Sequence, residues 1–275
     1  MEKKTIKGKA IYNPLGKAGE YAKWACNFYV GCSNGCEYCY LKKGIGAAVL
    51  GGDKPTLKKQ FKDEAHALKI FEKELIANLP ELQEHGLFFT FTSDPFLPET
   101  CHLTMCAIKE CHNNAVPVKV LTKSGNGLFE YIKQWYDIGA INSHKIAFGF
   151  TLTGHDELEP NASTNAERIE AMRNLHDAGF KTFASIEPII DFESSKDMIA
   201  GYTAGHCDLY KIGLESGKKY NKKELMEFID WTINASSASR LFSKFYFKDS
   251  LLKQAGINRE DLPANCVDRD YNIFN

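Results

Sequence analysis

The residues best suited to chemistry stand in the stretch CNFYVGCSNGCEYCY (26–40). Cys32, Cys36 and Cys39 form a C-x3-C-x2-C spacing, with Gly31, Gly35, Tyr38 and Tyr40 among them. For 9 cysteines in 275 residues, chance supplies that spacing only roughly 0.01 times. Two glycines let the backbone bend until three thiolates converge, so the loop reads as a metal site. A structural zinc takes four ligands, usually as two pairs, and Cys26 is the fourth thiol at hand. Cys26 belongs to an extended segment six residues upstream, where the pleat of a strand fixes its direction. Three thiolates on one loop suit a [4Fe–4S] cluster, which leaves one iron without a protein ligand and open to a small molecule.

Such a loop needs a frame, and strand and helix patterns alternate along the chain. Short runs rich in β-branched and aromatic residues read as strands at 24–29, 87–93, 116–122, 145–151, 181–186, 209–214 and 244–247. Leu57, Phe61, Ala65, Leu68, Leu75 and Leu79 recur at helical spacing. Further helices are expected at 103–113, 127–138, 166–178, 194–203 and 222–234. Asn165 and Asn221 are the expected N-caps, Glu224 completes a capping box with Asn221, and Gly139 and Gly179 end helices. Alternating strands and helices imply parallel strands joined by right-handed crossovers. With six clean units, the expectation is an α/β fold, an open partial (β/α)6 TIM-type barrel. One domain is expected over 1–275, with a core at about 22–216, a lead-in 1–21 and an extension 217–275 whose last twenty residues wrap the outside. Chemistry in such barrels sits at the C-terminal ends of the strands.

The side chains expected there are Ser93 and Asp94, Lys123 and Ser124, Thr151 and Thr153, and Glu187. Ser-Asp-Pro is also turn chemistry, and threonine is also a strand residue, so structural readings stand beside the functional ones. Thr151 and Thr153 can offer hydroxyls to a ribose. Glu187 aims a carboxylate at the mouth, where ribose, substrate and cluster ligands all suit its chemistry. Cys101, Cys106 and Cys111 turn by about 140° from one to the next on a helix, so they read as inert core thiols.

Lys+Arg 34 against Asp+Glu 35 gives net charge -1, which argues against a global field for nucleic acid. The lysine groups at 58, 59 and 62 and at 218, 219, 222 and 223 read as solvated helix faces. The first residues lack the apolar centre of a signal peptide, and no apolar run reaches the ~18 residues of a membrane span. A cytoplasmic location with reduced thiols is expected.

These motifs carry a resemblance. C-x3-C-x2-C at the end of a first strand, with an aromatic before the last cysteine, resembles the radical S-adenosylmethionine (SAM) superfamily. IYNPLGKAGEY (11–21), CNFYVGCSNGCEYCY (26–40), FTSDPF (91–96), VLTKS (120–124) and SIEPI (185–189) together resemble its spore photoproduct lyase-like branch. The resemblance implies a [4Fe–4S] cluster on Cys32, Cys36 and Cys39 whose open iron chelates SAM. One electron then releases methionine and a 5′-deoxyadenosyl radical, which abstracts hydrogen from a substrate. It further implies that Tyr38, or less directly Tyr40, packs on the adenine. Ser93 and Asp94 lie where the SAM amino group binds, and Lys123 where its carboxylate does. The implied partners are an electron donor such as flavodoxin or ferredoxin and a substrate of unknown class, nucleic acid among the options, acted on by a monomer with no membrane contact. The cysteine that spore photoproduct lyase uses as hydrogen donor has no counterpart in FFTFTSD (88–94), so DNA lesion repair is not expected. A non-catalytic zinc or iron–sulfur binding module is the competing reading.

Overall fold

The computed structural model describes residues 8–44, 46–135, 145–238 and 243–275, with side chains at 236–238 excepted. The strands are β1 (Ile11–Tyr12), β2 (Ala25–Cys26), β3 (Tyr29–Val30), β4 (Thr56–Leu57), β5 (Leu87–Phe89), β6 (Val118–Thr122), β7 (Ile146–Thr151), β8 (Lys181–Ile189), β9 (Leu209–Leu214) and β10 (Lys244–Phe247). Eight of them form one sheet in the order β1-β2-β5-β6-β7-β8-β9-β10, and β3 pairs with β4 separately. From β2 to β10 every neighbour is parallel, and β1 joins β2 antiparallel. The expected open partial barrel is therefore observed, with β10 extending it by a seventh parallel strand.

The alternation within strands explains the curvature. On β6, Val118 and Val120 belong to the core shared with the helices, whereas Leu121 packs with the lumen residues. On β7, Phe148 and Phe150 face outward and Ala147 inward. Gly149 leaves room for a large neighbour: a Cβ there would come within 2.1 Å of the Phe183 ring. Small residues opposite large ones let a narrow barrel fill without voids.

The helices are α1 (Ala47–Leu50), α2 (Glu64–Ala77), α3 (Leu79–His85), α4 (Cys101–Asn113), α5 (Leu128–Trp135), α6 (Asn165–Asp177), α7 (Phe192–Lys196), α8 (Lys222–Ala238) and α9 (Asp249–Ala255). Several differ from expectation. Leu57 lies in β4, and α2 starts at Glu64 because Asp63 caps it through the His66 N–H. Lys58 and Lys59 thus precede the helix, and Lys58 sits 5.8 Å over the Tyr12 ring rather than on a solvated helix face. Thr164, not Asn165, caps α6, in a reciprocal capping box with Glu167. Asn165 is buried inside the first turn. Asn221 does accept from the Lys223 and Glu224 N–H groups, as a cap should. Asp191 caps α7 earlier than expected, and a π-helical turn at Asp197–Tyr202 follows. The end of the 127–138 helix beyond Trp135, and Gly139, lie outside the described residues.

Most of the tail stays at the surface, as expected, but its end turns inward. Ile273 is buried with Tyr21, Phe88, Phe183 and Tyr246, and Val267, Tyr271 and Phe274 pack against the same cluster. Phe88 and Leu209 stand near the N-terminal ends of their strands, so the tail closes the floor of the barrel. Chemistry is left to the opposite end.

Candidate functional site

The cysteine loop follows β3 and is pinned from several sides. The Cys32 N–H donates to Gly52 O at 2.9 Å and the Glu37 N–H to Leu158 O at 3.0 Å. Asn161 donates its backbone N–H to Asn34 O at 3.2 Å and its side-chain amide to Ser33 O at 3.0 Å. Gly31 has φ +83°, and a Cβ there would come within 2.4 Å of Lys54 O, so both conformation and space call for glycine. Cys32, Cys36 and Cys39 line one small hollow together with Asn34, Leu41, Leu50 and Gly51. Among the described residues no three His, Cys, Asp or Glu side chains are drawn together as ligands of a single ion.

Burial pushes the Cys32 thiol up to about 12, with nearby Asp94 adding to the rise, and it raises Cys36 as well. Thiols in such surroundings become thiolates through a cation at the sulfur rather than through solvent. Cys26 does not join them. It is fully buried in β2, within the core between sheet and helices, and burial raises its thiol well above the usual range. All nine cysteines are free thiols. Cys111 is buried as expected, whereas Cys101 and Cys106 are partly exposed.

Asp94, at the turn after β5, ties the loop to the strand ends. Its carboxylate accepts from Asn34 Nδ2 (3.0 Å), Thr122 Oγ1 (2.6 Å), the Phe96 N–H (3.0 Å) and the Lys123 N–H (2.7 Å). Four donors occupy the capacity of a carboxylate, so Asp94 holds its neighbours in place. The adjacent Ser93 hydroxyl is buried and without a hydrogen-bond partner, a costly arrangement that an incoming polar group would relieve. Ser124 donates its hydroxyl to Phe96 O at 3.1 Å.

Lys123 places its Nζ 5.5 Å from the Tyr38 ring centroid and 3.9 Å from Glu159. The Tyr38 hydroxyl donates to Glu159, whose other oxygen lies 2.6 Å from Arg168. The Glu159 and Arg168 side chains are fully buried, and Arg168 also donates to Thr151 O and Ser163 O at 2.8 Å each. Burial and Glu159 hold the Tyr38 phenol protonated, far above its usual range. Tyr40 is exposed and donates to Phe91 O.

Thr151 is buried. Thr153 is buried too, and its hydroxyl accepts from the His155 N–H at 3.2 Å. Glu187 faces the lumen and accepts from Tyr21 (2.8 Å) and Lys248 (3.0 Å). Tyr21 comes from the lead-in segment and also bonds Ser185 at 2.6 Å, with Lys211 and Lys248 at 4.9 and 4.5 Å over its ring. Gly213 makes room for this group, since a Cβ there would meet Glu187 and Lys248 at 2.8 Å.

No sequence profile of a known protein family matches the chain. A protein of Methanocaldococcus jannaschii described only as uncharacterized, MJ0683, is 26% identical over 217 residues, covering 74% of each chain. Streptococcus suis SuiB bound to its precursor peptide SuiA superposes with a TM-score of 0.57 over 88% of this chain, at 12% identity. SuiB bound to S-adenosylmethionine gives 0.54 over 86%, also at 12% identity. The fold is shared with SuiB. The chain spans about half of SuiB, 52% and 50% in the two structures.

Several residues that build the mouth lie beyond the sequence reading: Asn34, Glu159, Arg168, and Tyr21 with its lumen lysines. Tyr21 stands in a motif already singled out. Glu159 and Arg168 give no comparable signal, since each reads alone as a surface charge.

His155 is another. Its Nε2 is 2.5 Å from Asp191 and its Nδ1 2.6 Å from Glu157, and Ser194 Oγ lies 3.0 Å from Nε2. Burial acts to lower the imidazole, but the two carboxylates outweigh it and raise it above its ordinary value. Burial acts to raise Asp191, but bonds from Ser194 and His155 bring it down to about 2. The clamp joins the loop after β7 to the start of α7. A raised folded-state value means the contribution is complete below about pH 6.5 and is lost as pH rises through the folded value. The melting temperature should therefore fall more between about pH 6 and pH 8.5 in the native protein than in His155→Gln. Equal falls would contradict the clamp.

Proposed function

We propose that the protein is a radical SAM enzyme, with Cys32, Cys36 and Cys39 as ligands of a [4Fe–4S] cluster. The observation that carries this reading is the placing of the three thiols around one hollow at the open end of a parallel barrel, while Cys26 lies in the core. The residues present fit the group: three thiols without a fourth line one hollow, and the turn after β5 holds a buried Ser93 hydroxyl without a hydrogen-bond partner. When bound, a cluster of this kind supplies one electron to SAM, giving methionine and a 5′-deoxyadenosyl radical.

In this reading Ser93 offers its hydroxyl to the polar methionyl end of SAM, and Lys123 offers charge to the carboxylate. Tyr38, held by Glu159 and Lys123, packs on the adenine and shields the thiols from water. Asp94 and Arg168 act through these residues. The lumen, filled by Tyr21, Phe183 and the Glu187–Lys248 pair, leaves substrate to approach from the mouth.

Lys123→Ala should keep the cluster absorbance and weaken SAM binding by about ten- to hundred-fold, the loss of one charge-assisted contact of ~1.5–3 kcal/mol. Unchanged affinity by equilibrium dialysis would remove Lys123 from the SAM site.

The substrate lies outside this reading. SuiB binds a peptide, and a peptide or small molecule is favoured here over DNA. Phe91 and Thr92 fill the place of a thiol donor. Cys101 bonds Pro98 O at 3.6 Å and packs on the core between sheet and helices, away from the lumen. A spore-photoproduct dinucleotide should therefore give no multiple-turnover repair, followed by chromatography. Repair would restore the branch activity and point to Cys101. We also propose a reducing, cytoplasmic setting, which nine free thiols suit. Among the described residues no helix is long and apolar enough to cross a membrane.

Elemental analysis after anaerobic purification tests the reading. About four irons per chain supports it, and one zinc without iron favours a binding module.

A further inference from the structure

The loop after β7, residues 152–163, holds the cysteine loop along its length. Leu158 O accepts the Glu37 N–H, Glu159 accepts from the Tyr38 hydroxyl, and Asn161 donates to Asn34 O and Ser33 O. All four partners lie between Cys32 and Cys39 in the chain. Glu159 also lies 3.9 Å from Lys123. The position of this loop therefore bears on the thiols and on the side chains offered to SAM.

Two anchors fix the loop in turn. At the start of α6, Asn165 donates its N–H (2.7 Å) and its side-chain amide (2.6 Å) to Asp156. On the other side, His155 bonds Asp191, the cap of α7. Gly154 packs on the same turn, where a Cβ would come within 2.8 Å of Ser194 Cβ. His155 is the one histidine in 152–163, and histidine is the side chain that ordinarily titrates between pH 5 and pH 8. Its ring nitrogens both face carboxylates, Glu157 at Nδ1 and Asp191 at Nε2. Only the imidazolium donates to both, and the neutral ring turns a lone pair to one of them. On deprotonation the bond to Asp191 loses its cationic donor.

The charged groups around the ring are mostly acidic. Helix α7 brings Asp191 and Glu193, the latter 2.6 Å from Lys196. Helix α8 brings Glu224 and Glu227 to the hollow that Asp191 lines, with Lys223 3.7 Å from Glu227. Lys218 reaches Ile190 O at 3.4 Å, and Arg168 of α6 is taken by Glu159. With Asp156 and Glu157 on the loop itself, the carboxylates outnumber the lysines and favour the protonated ring.

We infer that His155 is a positioning residue for the SAM site: its protonated ring fastens the loop after β7 to α7, and that loop holds Tyr38 and the cysteine loop in place. The clamp is complete below about pH 6.5 and is lost as pH rises through the raised folded-state value. SAM affinity is then highest on the acidic side of neutrality. The inference rests on the radical SAM reading for its ligand, though not for the effect on the cysteine loop.

The test uses reconstituted, iron-loaded protein at about pH 6 and about pH 8.5. Hydrogen exchange is read in peptides covering 33–39 and 153–162, and SAM affinity by equilibrium dialysis. In native protein, exchange in both segments, corrected for its intrinsic pH dependence, should rise between the two pH values. At the lower pH, His155→Gln should exchange about fivefold or more faster than native protein in both segments, with β6 unchanged, and at the higher pH the two should converge. Native SAM affinity should fall by about fivefold or more across this range, beyond any fall in His155→Gln. Asp191→Asn keeps a capping side chain but removes a charge, so the midpoint of the pH dependence should move down by about half a unit or more. Native protection that does not change with pH would overturn the inference. So would a change confined to 153–162, or SAM affinities with the same pH dependence in native protein and His155→Gln. Exchange that follows the prediction, in protein that binds no SAM at either pH, would keep the clamp on the cysteine loop and overturn the radical SAM reading instead.

Discussion

Replacing any one of Cys32, Cys36 or Cys39 by alanine is expected to abolish both the brown iron–sulfur absorbance and SAM cleavage. Each thiol is one of three that line the hollow, and an open iron leaves no spare ligand to take over. Cys26→Ala should leave both properties intact. Its side chain faces the core between sheet and helices, so the loss there is a small cavity rather than a ligand. Absorbance spectra and iron counts on the four variants decide the matter. If Cys26→Ala loses its metal as completely as the others, the site is a four-thiolate one and the three-ligand account is wrong.

Arg168→Met is expected to cost about 3–5 kcal/mol of stability, because it strands the fully buried Glu159 carboxylate without its partner. For a chain of this size that lowers the melting temperature by roughly 10 °C. The double variant Glu159→Gln/Arg168→Met should lose less than the sum of the single changes, since the buried charge goes with its partner. A positioning role adds a second readout. Glu159 holds Tyr38 and Lys123, so Glu159→Gln should weaken SAM binding in protein that still carries its cluster. Additive stabilities, or native SAM affinity in Glu159→Gln, would reduce the pair to ordinary core packing.

The seven parallel strands were legible because each falls in a short apolar run with β-branched or aromatic side chains, and the order of the barrel follows from right-handed crossovers; β1 and β4, two residues each, were not. The cysteine loop was legible because its spacing carries its chemistry. The ends of elements were less so. Asn165 has the chemistry of a cap, but Thr164 one residue earlier takes the role because Glu167 reaches back to it. Asn165 instead accepts from the Thr153 N–H and donates to Asp156. The Glu159–Arg168 pair was hidden for a different reason. It exists only once the loop after β7 folds over the cysteine loop, a long-range event that no local pattern encodes. The tail is similar: its sequence is polar, and only Ile273 and its few apolar neighbours show that it closes the barrel floor.

The central claim is that the three thiols hold a cluster that breaks SAM. The direct measurement is anaerobic reconstitution of the native protein with iron and sulfide, reduction with dithionite, addition of SAM, and chromatography of the products. The account predicts 5′-deoxyadenosine and methionine in equal amounts, at a rate that depends on the cluster. Reconstituted, iron-loaded protein that leaves SAM intact under these conditions would contradict it.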